Sequence, residues 1–336
     1  MASLLFVACR KESHPITPDE PQEQYAISLS ASSSAMTNSR AIVDSKATLQ
    51  ATTLGVFAYK ELPNGDKVTV FDNTEVTYDA DEGWTYTGTK YWDRTAHYYF
   101  VSYSPHQDTD ITYDMDASKM AINNIPNWQV INDDAIDYVM ANSQGDADSK
   151  YITSNGAQPV ELNFEHILSQ LEVRVAKSPL LVNSYTLNTI SYENVPTREG
   201  KASYNYTIYS PNRPTEGGWG DIVADIANAP IDMATLSDVT IPSSSDLDTE
   251  KGTTLAHLVA PFHAFNAKGE NFKIHLNYKV NGEARPTKEV DTGLEQLEKN
   301  KRYVLTLTFN SGADIETSLK ILDWVDEEIE EPKYNW

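Results

Sequence analysis

Between Phe272 and Val280 the chain alternates, with Phe272, Ile274, Leu276, Tyr278 and Val280 on one parity and Lys273, His275, Asn277 and Lys279 on the other. A period of two is the mark of a strand with one buried and one wet face. The pattern recurs. Tyr303, Leu305, Leu307 and Phe309 share a parity near the C-terminus, and Glu161 to His166 leads into Leu171-Glu172-Val173-Arg174-Val175. Asn281-Gly282 and Pro63-Asn64-Gly65-Asp66 are hairpin turn signals, the second between Leu54–Tyr59 and Val68–Val70. From Trp84 to Pro105, WTYTGTKYWDRTAHYYFVSYSP, aromatics crowd strand-length runs. There His97 to Tyr103 carries bulky side chains on both parities, which predicts a strand covered on both faces. Leu294 to Lys301 reads as a short helix or a turn. Short strands punctuated by polar turns, without amphipathic helices between them, predict an all-β protein built from β-sandwiches.

The chain is 336 residues long, which suits two sandwiches of about 150 residues each. The expected joint follows Val175-Ala176-Lys177, where Ser178-Pro179 interrupts strand pairing. Residues 10–38 are rich in Ser, Thr, Pro, Gln and Glu, the composition of a tether. One island stands out in it: between Tyr25 and Ala31, apolar Ile27, Leu29 and Ala31 alternate with small or polar neighbours. Beyond Ser32-Ser33-Ser34 comes Arg40-Ala41, an arginine placed for proteolysis.

Charge removes one class of partner. With 26 basic and 49 acidic residues the formal net charge is −23, which repels phosphate backbones and anionic headgroups, so no nucleic acid partner is expected. The single cysteine, Cys9, follows Leu4-Leu5-Phe6-Val7-Ala8 and precedes Arg10. An apolar run closing on a small residue before Cys looks like the end of a lipoprotein signal, shortened and lacking a basic start. The alternative is a free thiol in a tail.

Catalytic signatures are scarce: no G-x-S-x-G elbow, no H-E-x-x-H and no phosphate-cradling glycine loop. No enzyme activity and no cofactor is expected. His257 and His263 bracket Leu258-Val-Ala-Pro-Phe262 without a third metal ligand. Asp108, Asp110, Asp114 and Asp116 form an acidic loop that lacks the glycine and the distal glutamate of an EF-hand. Trp128, Trp219 and Tyr209 are candidates for stacking on sugar rings if exposed, and for core packing if not.

Taken in order, a set of segments resembles the fimbrillins of Gram-negative anaerobes, which build type V pili. These are Arg40-Ala41, Leu54-Gly-Val-Phe-Ala-Tyr59, Trp84-x-Tyr86, Tyr91-Trp92 and Tyr98 to Pro105, then Asp137-Tyr-Val-Met-Ala141 and Leu162-x-Phe164-x-His166-x-Leu168-Ser169-x-Leu171-x-Val173. Leu258-Val-Ala-Pro261, Asn300-Lys301-x-Tyr303-x-Leu305-x-Leu307, Asp323-Trp324-Val325 and terminal Trp336 complete it.

The resemblance implies a surface lipoprotein precursor of the outer membrane, lipidated on Cys9, with two tandem transthyretin-like Greek-key β-sandwich domains. The expected ranges are 1–40 for signal remnant, tether and removable strand, 41–177 for the first sandwich and 178–336 for the second with its tail. It further implies that an arginine-specific protease cuts between Arg40 and Ala41, removing the strand that carries Ile27, Leu29 and Ala31. A C-terminal strand from another fimbrillin subunit then fills the groove. The candidate donor here is the tail with Trp324, Ile329, Tyr334 and Trp336, which departs from an ideal donor in carrying Asp326, Glu327, Glu328, Glu330 and Glu331. The implied function is a structural pilus subunit contributing to adhesion. The alternative is a non-polymerising surface lipoprotein or tip adhesin that binds a host glycan or protein.

Overall fold

A computed structural model of the protein describes residues 25–33, 46–130, 135–145, 151–153, 156–195, 201–207, 217–220, 231–244, 254–261, 271–294, 297–311 and 314–323. It begins with strand β1 (Leu29–Ser33), one short helix α1 (Lys46–Gln50), then β2 (Leu54–Glu61), β3 (Lys67–Asp79), β4 (Gly83–Tyr86) and β5 (His97–Ser104). Next come β6 (Ile111–Asp114), β7 (Lys119–Pro126), β8 (Gln129–Val130), β9 (Val139–Gly145), β10 (Ile152–Thr153), β11 (Gly156–Ala157), β12 (Val160–His166) and β13 (Leu168–Lys177). The rest is β14 (Tyr185–Glu193), β15 (Lys201–Thr207), β16 (Gly217–Gly220), β17 (Ile231–Thr240), β18 (Thr254–Pro261), β19 (Lys273–Val280), β20 (Glu283–Ala284), β21 (Lys288–Asp291), β22 (Lys301–Ser311) and β23 (Asp314–Asp323). The protein is all-β, and among the described residues no helix is long or apolar enough to cross a membrane.

The first strands close on themselves. Their hydrogen bonds run in the ring order β1-β12-β9-β5-β2-β3-β4, a barrel whose lumen is filled by Leu54, Val56, Phe71, Tyr98, Phe100, Leu162 and Phe164. The outer wall of β2 and β5 is apolar too. Phe57, Tyr59, Val101 and Tyr103 pack under the four-stranded sheet β16-β15-β7-β6, against Met120, Ile122, Tyr204 and Tyr206. The double loading of His97 to Tyr103 thus reflects a strand buried from both sides.

Two further sheets, β23-β22-β13-β18-β8 and β17-β14-β19-β20 with β21 beside β19, enclose a second core. Leu171, Val173, Val175, Tyr303, Leu305 and Leu307 meet Leu187, Ile190, Ile274 and Leu276 there. Asn281 and Gly282 both have positive φ, 53° and 83°, as a two-residue hairpin turn of the I′ kind requires.

The chain leaves the barrel at Ile167, so β13 already belongs with β18 and β22, while β8 pairs with β18 and β7 with β15. Burial also departs from the alternation in β13. Glu172 and Arg174, expected on a wet face, are buried, because Glu172 receives Arg174 Nε at 2.6 Å and Arg302 Nη2 at 2.7 Å.

Candidate strand-insertion site

Strand β1 (Leu29–Ser33), with the paired segment 25–28 leading into it, closes the barrel. From Leu29 to Ser33 it runs parallel to β12, in the register Leu29↔Val160 to Ser33↔Phe164. Its other edge is antiparallel to the β4 side, with Leu29 opposite Trp84 and Ala26 opposite Tyr91. Main-chain bonds secure both edges: Val160 N–H donates to the Ser28 carbonyl at 2.8 Å, Ile27 N–H to the Lys90 carbonyl at 2.8 Å, and Trp92 N–H to the Tyr25 carbonyl at 3.0 Å. The Tyr86 hydroxyl adds a side-chain bond to the Ile27 carbonyl at 2.6 Å.

The side chains divide as the alternation predicts. Tyr25, Ile27 and Leu29 are buried, Ile27 at 2% and Leu29 at 5% exposure, and Ala31 packs against the same lumen. Ser28 and Ser32 face outward, and Ser32 Oγ donates to Asn163 Oδ1 at 2.6 Å. Burying an aliphatic side chain of this size is worth about 1.5–3 kcal/mol. The expected strand carrying Ile27, Leu29 and Ala31 is therefore a core element of the barrel, inside a segment whose flanks read as tether.

The walls of the slot are aromatic and tied down. Trp92 packs edge-on to Tyr98 and Phe100, with ring centroids 4.6 and 5.9 Å away, and Trp84 lies edge-on to Tyr78 at 5.4 Å. Asp93, just past Trp92, holds Lys60 Nζ at 2.8 Å and accepts from Thr95 N and Oγ1 at 3.0 and 2.7 Å. Burial raises the Asp93 carboxyl, but the Lys60 and Thr95 hydrogen bonds outweigh it and leave the pKa below 3.8. Burial pushes the Tyr98 hydroxyl up to about 12, and it accepts the Asp93 N–H. At the slot entrance the Arg94 guanidinium lies over the Tyr25 ring, 5.5 Å from its centroid. Helix α1 abuts β1 and buries Leu49 in the same core.

Chemically this site binds a strand. Without residues 25–33 the edges of β12 and of the 84–92 segment would offer unpaired N–H and C=O groups beside an apolar trough, a template for β-augmentation.

The other sequence candidates fall elsewhere. Cys9, Arg40 and Ala41 lie outside the described residues, as do the proposed tail residues Trp324, Ile329, Tyr334 and Trp336. So do Tyr209 and His263, while of Trp219 and His257 only the backbone is described. Trp128 is 2% exposed in the second core, which removes it as a sugar platform. The acidic stretch is not one loop, because β6 runs through it: Asp114, the last residue of β6, accepts Ala117 N–H at 2.8 Å on Oδ1, and Asp110 before the strand accepts from Asn124 Nδ2. Among the described residues the group with three metal-ligating side chains together is Glu193, His275 and Glu289, their ligand atoms within 4.8 Å. It forms a cross-strand ladder, with His275 Nε2 and Glu193 Oε2 2.6 Å apart and Lys273 Nζ 2.8 Å from Glu289. The pairing of the 84–92 segment with the first strand, and the position of Arg94, have no signal in the sequence beyond the aromatic density around them.

A family model described as fimbrillin-like matches residues 39–324. Among solved structures, a fimbrial protein from Bacteroides vulgatus is similar at a TM-score of 0.56 and 18% identity, covering 89% of this chain and 99% of its own. A cell adhesion protein from Bacteroides uniformis aligns over 91% of this chain and 100% of its own, at a TM-score of 0.46 and 18% identity. At such identities the likeness concerns the fold. A comparison with curated proteins gave no match.

Proposed function

The chain belongs to the fimbrillin-like family, and from that premise we propose that it is a structural subunit of a cell-surface pilus, assembled by protease-triggered strand exchange. The observation that carries this reading is the first strand: buried in the barrel, paired on both edges, and attached through residues 34–39 to Arg40. A strand so placed plugs the site its removal would open. Cutting between Arg40 and Ala41 by an arginine-specific protease turns plug into ligand, and a strand from another fimbrillin subunit replaces it. In this reading the body is a pair of transthyretin-like Greek-key domains, and lipid on Cys9 holds the precursor at the outer membrane.

The test is to incubate purified precursor with an arginine-specific protease and run the product in SDS without boiling. A ladder of resistant oligomers is expected, and Arg40→Ala should stay monomeric under the same protease. Wild-type protein trimmed at Arg40 that remains monomeric would count against assembly.

The tail favours a second reading. Asp326, Glu327, Glu328, Glu330 and Glu331 crowd the segment that would have to enter a neighbour's apolar trough. A surface lipoprotein or tip adhesin that binds a host glycan or protein has no need of a donor. Trimmed intact protein that remains monomeric favours this second reading, whereas truncation after Asp323 tests the donor: it blocks growth if the tail is the donor and leaves growth intact if another strand is.

A further inference from the structure

The sheet β17-β14-β19-β20, with β21 beside β19, carries a charged cluster on its outer face. On β19, Lys273 and His275 alternate with the buried Ile274 and Leu276. His275 stands opposite Ser191 on β14 and Glu289 on β21, while Lys273 stands opposite Glu193 and Asp291. The ion pairs nevertheless run diagonally. Glu193 Oε2 reaches His275 Nε2 at 2.6 Å, and Lys273 Nζ reaches Glu289 Oε1 at 2.8 Å. Asp291 is engaged elsewhere, its Oδ1 accepting from Asn271 Nδ2 at 3.0 Å and from Gly293 N–H at 2.9 Å.

This arrangement brings two carboxylates onto one imidazole. Ligand atoms of Glu193, His275 and Glu289 lie within 4.8 Å of one another, each supplied by a different one of three adjacent strands. The Lys273 hydrogen bond holds the Glu289 carboxyl below its usual 4.5, so it is ionised at neutral pH. Carboxylates this close repel each other, and a divalent ion among them would offset both charges. The donor set also selects the ion. An imidazole nitrogen with two carboxylate oxygens suits zinc and its transition-metal neighbours, whereas calcium takes oxygen ligands alone.

We propose that Glu193, His275 and Glu289 bind a zinc-class divalent ion through His275 Nε2 and one oxygen of each carboxylate, with water completing the tetrahedron. The ion takes the place of the proton between Nε2 and Oε2 and displaces Lys273 from Glu289. Both movements are confined to side-chain ends, because main-chain pairing fixes β14, β19 and β21. Among the described residues β21 pairs with β19 alone, so the ion would staple it to β14 as well. The site is independent of strand exchange.

The test titrates zinc into the full-length protein by isothermal calorimetry, with calcium as the counter-probe. Wild type should take up one zinc equivalent more than His275→Gln, and saturating zinc should raise its melting temperature more than that of the variant. Glu289→Gln, at an exposed position, should show the same loss and keeps the test open should His275→Gln fold poorly. Lys273→Met removes the competing cation and should tighten the site by up to about fivefold, the worth of an accessible ion pair. Equal zinc uptake by wild type and the variants would overturn the proposal, as would calcium that displaces the ion at equal concentration. An affinity that Lys273→Met leaves unchanged would show that zinc does not reach Glu289, and would overturn the three-ligand assignment.

Discussion

The Tyr86 hydroxyl donates to the carbonyl oxygen of Ile27 at 2.6 Å, so a side chain of the barrel wall grips the main chain of the strand it encloses. The bond is indifferent to the strand's own side chains. Removing the hydroxyl with Tyr86→Phe should cost the precursor about 1 kcal/mol. Protein trimmed at Arg40 and left unfilled should show no such difference. Denaturant unfolding of both forms checks this.

The parity of the first strand gives a sharper contrast. Leu29→Asp places a carboxylate in the barrel lumen and should destabilise the precursor by more than about 3 kcal/mol. Ser28→Asp, one residue away on the exposed face, should change stability by less than about 0.5 kcal/mol. Equal melting temperatures for the two variants would mean that residues 25–33 are not a core strand in solution.

The Lys60–Asp93 pair, 2.8 Å apart, fixes the loop behind the slot and carries a pH signature. The folded pKa of Asp93 lies below its ordinary 3.8. A depressed carboxyl pKa contributes stability that is fully present above the unfolded value and is lost as pH falls through the folded one. Asp93→Asn should therefore be less stable than wild type at neutral pH, by under about 1 kcal/mol for a pair this accessible. The gap should close as the pH is lowered through the acid range below 3.8. A gap that widens toward acid would contradict the assignment.

Gly55 is constrained by its neighbour across the sheet. A Cβ there would land on the ring of Tyr103, which is fully buried and donates its hydroxyl to Asn73 Oδ1 at 2.7 Å. Gly55→Ala should cost about 1–3 kcal/mol through overpacking. Combined with Tyr103→Ala, the loss should be smaller than the sum of the two single losses, because the second change removes the clash. Strict additivity in a double-mutant cycle would show that the ring yields.

Many of the strands were legible along the chain. A side-chain period of two, the Asn-Gly turns and the two-sided bulk of Tyr98 to Tyr103 follow from local geometry, and each is written into consecutive residues. Even the island around Ile27 and Leu29 was legible, since its alternation contrasts with the polar tether on either side. Which strand pairs with which was not legible there. That residues 25–33 lie between β12 and the 84–92 segment, that β13 leaves the barrel to join β22, and that Glu172 is buried between two arginines all depend on pairings of high sequence separation. A strand's own alternation fixes which face is apolar but not which edge it meets, because every edge offers the same N–H and C=O groups. Closure of the barrel selects among those edges: it buries the apolar face of β1 and pairs both of its edges at once.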